Sequence, residues 1–111
     1  MLVPDGSAAQ NLPLFREITE KVWASSQRAS GRAYIDALVA AGFDKRAMQV
    51  TNDTSTVGNP AESIQFSVYW KNDGKCLVGQ VGPATGSPVA TVLPGLPGDL
   101  CLLGDTRPID W

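Results

Sequence analysis

The chain has no histidine among its 111 residues. With it go the side chain that titrates nearest neutral pH, the Ser-His-Asp and Cys-His arrangements, and most zinc sites. Long apolar runs are missing as well, since none approaches the roughly 18 continuous apolar residues of a membrane-spanning helix. Positive charge is not in excess. Nine Lys and Arg against eleven Asp and Glu leave a net charge of −2. The cations are scattered, so there is no electrostatic footprint for nucleic acid. Cysteine is scarce, with Cys76 and Cys101 alone. A hydrophobic share of 43% and a charged share of 18% exclude a disordered chain, and the length suits one domain with one core. A soluble protein is expected.

What is present is most legible over residues 63–82. Ile64, Phe66, Val68 and Trp70 alternate with Gln65, Ser67 and Tyr69, the period of a strand with one buried face. Asp73-Gly74 supplies turn chemistry before a second strand, Cys76 to Gly82. A two-residue loop sets Trp70 opposite Leu77, Val68 opposite Gly79 and Phe66 opposite Val81, all on the core face. A three-residue loop would instead turn Cys76 to the core side. The other face then carries Gln65, Ser67, Tyr69, Val78 and Gln80, half polar, and is expected to be open.

Before the hairpin come two helices. Residues 1–11 show little periodicity and read as a flexible leader or tether, with a single domain over 12–111. The first helix is expected near Pro13, a residue suited to a first turn. Phe15, Ile18 and Val22 form its apolar stripe, flanked by Leu14 and Trp23, and Glu17 and Lys21 an i,i+4 pair. A second helix is capped by Ser30, turns Tyr34, Ile35, Leu38 and Ala41 inward, and ends at Gly42. Phe43 should fold back onto Leu38. Ala47–Thr51 alternates as a strand with Met48 and Val50 inward. Val89–Leu93 is either a short strand or a helical turn, Leu100–Leu103 a last strand, and 105–111 an irregular tail. The fold class is α+β: a helical hairpin on one face of a three- to five-stranded antiparallel sheet. Trp23, Trp70, Phe15, Phe43 and Phe66 should supply most of its core.

Cys76 and Cys101 each sit in a short apolar phrase entered from a Gly-containing turn. A Cys76–Cys101 disulfide and an oxidising compartment are one reading, and two buried thiols in a cytosolic protein the other. Residues 1–6 lack the basic start and apolar core of a signal peptide, so an exported form is expected to have lost its leader.

Chemistry is harder to find. Asn52-Asp53-Thr54 matches the N-glycosylation acceptor pattern, and also reads as a loop asparagine capping its own turn. Asp44, Asn52 and Asp53 are oxygen donors without EF-hand spacing. Asp36, Asp44, Glu62, Asp99, Asp105 and Asp110 are the carboxylates available for a glycosidase-like pair, or simply solvated acids. No Ser-x-x-Lys pair or phosphate-cradling signature occurs. No catalysis, cofactor or metal is expected. Tyr69 and the terminal Thr106–Trp111, with Arg107, are the best interface anchors; alternatively, Trp111 folds back to close the core while Arg107 pairs with a carboxylate.

The phrases Gly42-Phe43-Asp44, Ala47–Thr51, Gln65–Val68, Cys76–Pro83 and Thr106–Trp111 resemble an uncharacterised domain family of secreted and lipid-anchored actinobacterial proteins. The similarity spans about Phe15 to Trp111. It implies an exported domain, tethered to the outer face of the membrane, with Cys76 and Cys101 bridged, and brings no activity or ligand. The element order is also similar to small bacterial lipoprotein and β-lactamase-inhibitor-protein folds, an analogy that transfers no function.

The expected function is therefore a non-catalytic extracytoplasmic binding domain. It would meet a protein or cell-envelope component through Gln65, Ser67, Tyr69 and Gln80, and a membrane only through a tether. The alternatives are an inhibitor that plugs an extracellular hydrolase with the Asn52–Ala61 loop, and a carboxylate-based hydrolase.

Overall fold

The computed structural model describes residues 2–52, 63–82, 87–102 and 106–111. Two helices, α1 (Ala8–Trp23) and α2 (Gly31–Ala40), precede a 3-10 turn at Lys45–Ala47 and five strands. The strands are β1 (Met48–Thr51), β2 (Ile64–Trp70), β3 (Lys75–Val81), β4 (Val89–Pro94) and β5 (Thr106–Arg107). They form one antiparallel sheet in the order β4-β3-β2-β1-β5. The helix pair covers one face and the Cys76–Cys101 disulfide lies on the other. This is the expected α+β class.

The second helix follows its local signals. The Ser30 side chain accepts from Ala33 N. At the far end Gly42 takes φ 109°, Gly42 N donates to Val39 O, and Phe43 N donates to Leu38 O. That is a complete Schellman closure, in which a left-handed glycine frees two amides to reach back to the last turn.

The first helix begins earlier than Pro13 suggested. Ser7 accepts from Gln10 N while Gln10 Oε1 accepts from Ser7 N, a reciprocal capping box, so Pro13 stands inside the helix. Ser7-Ala8-Ala9-Gln10 carried that signal in the sequence. The supposed leader is docked. Asn11, fully buried, accepts from Val3 N and donates to Val3 O and Ser7 O. Trp70 Nε1 and Asn72 Nδ2 donate to Gly6 O at 2.7 and 3.0 Å, and Asp73 Oδ2 accepts from Ala8 N. The hairpin loop thus holds the segment and supplies a carboxylate to the helix N-terminus, where the partial positive charge favours it. Asn11→Ala removes three part-buried hydrogen bonds made by a fully buried side chain and should cost about 2 kcal/mol, read as a lower urea midpoint at unchanged slope.

The hairpin keeps the expected faces but not the expected register. Trp70 pairs with Lys75, Val68 with Leu77, Phe66 with Gly79 and Ile64 with Val81. The loop has four residues, Lys71 to Gly74, closed by Gly74 N donating to Trp70 O at 2.9 Å. A shift of two residues leaves every side chain on its own face, so alternation could not distinguish the two registers. The packing does: the buried Phe66 ring occupies the space above Gly79, where a Cβ would lie 2.4 Å from Phe66 Cε2.

Phe66 stacks on Tyr34 with centroids 4.8 Å apart and meets Phe15 at 5.7 Å. Phe43 packs edge-on against Phe15 and Trp70. Trp23 sits at the margin, with Arg28 over its ring. Two polar residues, Asn11 and Thr19, interrupt the buried stripe of α1, and Thr19 satisfies itself on Phe15 O. Val89–Leu93 resolves as strand, within β4. Leu100–Leu103 is not a strand over its described part: Leu100 makes only an isolated bridge with Leu96. The fifth strand comes instead from the expected tail, Thr106 and Arg107 pairing with Thr51 and Val50.

Candidate binding cleft

The second sheet face is not open. After β4 the chain reverses at Pro97–Asp99, where Gly98 has φ 80° and Asp99 φ 60°. The left-handed region suits glycine and is tolerated by aspartate. Leu96 N donates to Leu100 O at 2.7 Å. Residues 100–102 then cross the face as a strap. Its covalent attachment is Cys76–Cys101, with Cα atoms 5.7 Å apart. Its polar attachment is Gln49 Oε1, which accepts from Cys101 N at 2.7 Å and Leu102 N at 3.1 Å. Spanning from β3 to β1, the strap passes over β2.

This coverage revises the expected interaction face. Ser67 is fully buried, and its hydroxyl finds no partner among the described residues. Val78 is also buried, while Gln65, Tyr69 and Gln80 are half-buried. Cys76 and Cys101 are bridged as expected, and the alternative of two thiols falls. Arg107 does not serve as a free anchor: it stands over the Trp111 ring at 4.9 Å, joined there by Arg32 and Lys45. Trp111 folds back against the core, donating to Asp36 Oδ1 at 2.8 Å. No ion pair involves Arg107 among the described residues.

Tyr69 opens onto a cleft of about 660 Å³. The cleft forms where β2 outruns β1, since pairing with β1 ends at Val68–Met48 and β2 continues for two residues. One wall is the Asp44–Ala47 corner, a second the hairpin loop at Lys71 and Asn72, a third the Gly98–Leu100 turn, and Pro4 closes the rim. Met48, Val68 and Leu100 supply apolar surface between these polar walls. Burial pushes the Tyr69 phenol above its ordinary pKa of 10, and the carboxylates of Asp99 and Asp73 add to that. It therefore remains a hydrogen-bond donor into alkaline solution.

The other acids are placed as follows. Asp44 caps the 3-10 turn through Arg46 N and pairs with Arg46 Nε at 3.6 Å. Asp36 is held by Arg32 and Trp111. Asp110 is exposed. Asp53, Glu62 and Asp105 lie outside the described residues, as do most of the Asn52–Ala61 loop and the glycosylation pattern. Among the described residues no three His, Cys, Asp or Glu side chains gather as a metal site. Two carboxylates, Asp44 and Asp99, line the cleft, on separate walls.

A domain of unknown function, DUF6993, matches residues 19–105. The chain belongs to that family. The DUF6993 match takes in β1 to β4, the strap and the disulfide, but it begins within α1 and stops before β5, so the docked segment with Pro4 and the fifth strand fall outside it. No curated protein and no solved structure matches the chain.

Proposed function

We propose that this DUF6993 domain is a non-catalytic binding module that works outside the cytoplasm, secreted or held at the outer face of a membrane. Its partner is a protein or envelope component received in the Tyr69 cleft. The observation that carries the reading is the cleft itself, concave, part apolar, and ringed by groups for recognition: the Tyr69 phenol, the Arg46 and Lys71 cations and the Asp99 carboxylate. The buried disulfide supports an oxidising compartment. The resemblance to secreted and lipid-anchored actinobacterial domains points the same way.

The test is retention of components from envelope extract by the immobilised full chain. Tyr69→Ala and Arg46→Ala should each reduce retention of a specific component at least about tenfold, the equivalent of 1.4 kcal/mol. Gln80→Ala, outside the cleft, should leave it unchanged. The Arg46 side chain is 93% exposed, so its loss should leave the melting temperature close to that of the parent. Equal retention by all three variants would remove the cleft from consideration.

A further inference from the structure

Pro4, at the rim of the cleft, belongs to a β-turn. Gly6 N donates to Val3 O at 3.0 Å across Val3-Pro4-Asp5-Gly6, with proline at the position whose φ it presets. The turn is fastened at both ends, where Leu2 packs against the core and Ser7 caps α1. Between these ends Val3, Pro4 and Asp5 are exposed.

What holds the turn down is the cleft itself. Trp70 Nε1 donates to Gly6 O at 2.7 Å, and Asn72 Nδ2 donates to Pro4 O at 2.8 Å and to Gly6 O at 3.0 Å. Trp70 and Asn72 both line the cleft. The two bonds from Asn72 are exposed, so water competes for them. An element secured in this way opens at a fraction of the global unfolding cost. When the turn lifts, the indole N–H of Trp70, a side chain only 9% exposed, and the Asn72 carboxamide lose their acceptors. A donor left unpaired in so sheltered a place is unfavourable until another acceptor reaches it.

We propose, on the reading of the Tyr69 cleft as the binding site, that the Val3–Gly6 turn is a displaceable lid occupying the donors a partner uses. The turn stands in for the ligand, and its chemistry shows what the ligand offers. Both acceptors are main-chain carbonyls, Pro4 O and Gly6 O, and among the described residues Trp70 and Asn72 bond no side chain of the turn. Donors that take only backbone oxygens fit a protein loop, which carries a carbonyl at every residue. The partner is therefore a protein whose loop exchanges with residues 3–6. Lid and partner exclude each other, so the apparent affinity rises with the fraction of molecules in which the lid is open.

Two variants loosen the lid and leave the cleft donors in place. Gly6→Ala sets a Cβ 2.4 Å from Gln10 Oε1 and 2.9 Å from Val3 Cγ1, which shifts the turn. Asn11→Ala releases Val3 N and Val3 O. Hydrogen exchange of the Trp70 indole N–H in the full chain, followed by NMR with no partner present, tests the lid alone. In the parent this proton should exchange through a local opening with little urea dependence, faster than the Phe66 amide. Both variants should speed it about tenfold. Exchange at the Phe66 rate, with the urea dependence of global unfolding, would overturn the lid. Retention from envelope extract by the immobilised full chain tests what the lid controls. Both variants should bind the specific component about tenfold more tightly than the parent; no gain in either would overturn that control. Protease treatment of the extract should abolish retention, and retention that survives it would overturn a protein partner in favour of a glycan. Failure of the cleft as the binding site is read separately, from Tyr69→Ala and Arg46→Ala, and leaves the exchange of Trp70 untouched.

Discussion

Gly79→Ala is expected to be among the most destabilising single-methyl additions available to this protein, at about 3 kcal/mol. The new Cβ would stand 2.4 Å from two atoms of the Phe66 ring, a separation that nothing in a packed interior tolerates. Phe66 cannot simply swing aside. It is fully buried, stacked on Tyr34 on one side and tilted against Phe15 on another. Relief has to come from moving the ring into α1 and α2 or from spreading β2 from β3, and either disturbs the centre of the core. Urea unfolding at constant slope should show the loss. Phe66→Leu combined with Gly79→Ala should recover part of it, because the smaller side chain vacates the space. A Gly79→Ala protein as stable as its parent would mean that Phe66 does not cover Gly79, and that the hairpin pairs in another register.

Replacing both cysteines by alanine should cost about 3 kcal/mol, the loop-closure entropy for a bridge between residues 25 apart. The local consequence is more telling than the global one. Without the bridge, the strap's polar hold on the sheet, among the described residues, is Gln49 Oε1, through two amides. Residues 100–102 should then open at a fraction of the global unfolding cost. Proteolysis within the strap should accelerate in the double variant well before the domain melts, with Val78 and Ser67 becoming accessible. In the parent, a thiol-reactive dye should label neither sulfur without reduction. Unchanged strap proteolysis in the double variant would assign the attachment to Gln49 and to packing alone.

How far the sequence could be read depended on the range of the forces involved. The Ser30 cap, the Gly42 closure and the inward face of α2 were legible because the deciding hydrogen bonds span only a few residues. The start of α1 was equally local, in Ser7 and Gln10, yet Pro13 outweighed it in the sequence reading. Alternation from Ile64 to Trp70 gave the buried face of β2, but a two-residue slip preserves alternation and so passes unnoticed. The half-polar second face looked open because Gln65, Ser67 and Tyr69 are polar. Its cover comes from residues about 50 positions beyond Gln49 in the chain, and no period reports that. The cleft was not legible either, since its walls come from four separate stretches; Tyr69 was its only advance signal.

Local chemistry in the chain was thus enough to settle the α+β class, the helix caps, the faces of the strands and a pair of sulfurs able to bridge. Folding in three dimensions alone decided the hairpin register, the docking of residues 2–6, the strap and the Tyr69 cleft. The reason is physical. Caps and alternation are set by neighbours in sequence, whereas the fit of Phe66 over Gly79 and the reach of Gln49 to the strap are set by neighbours in space.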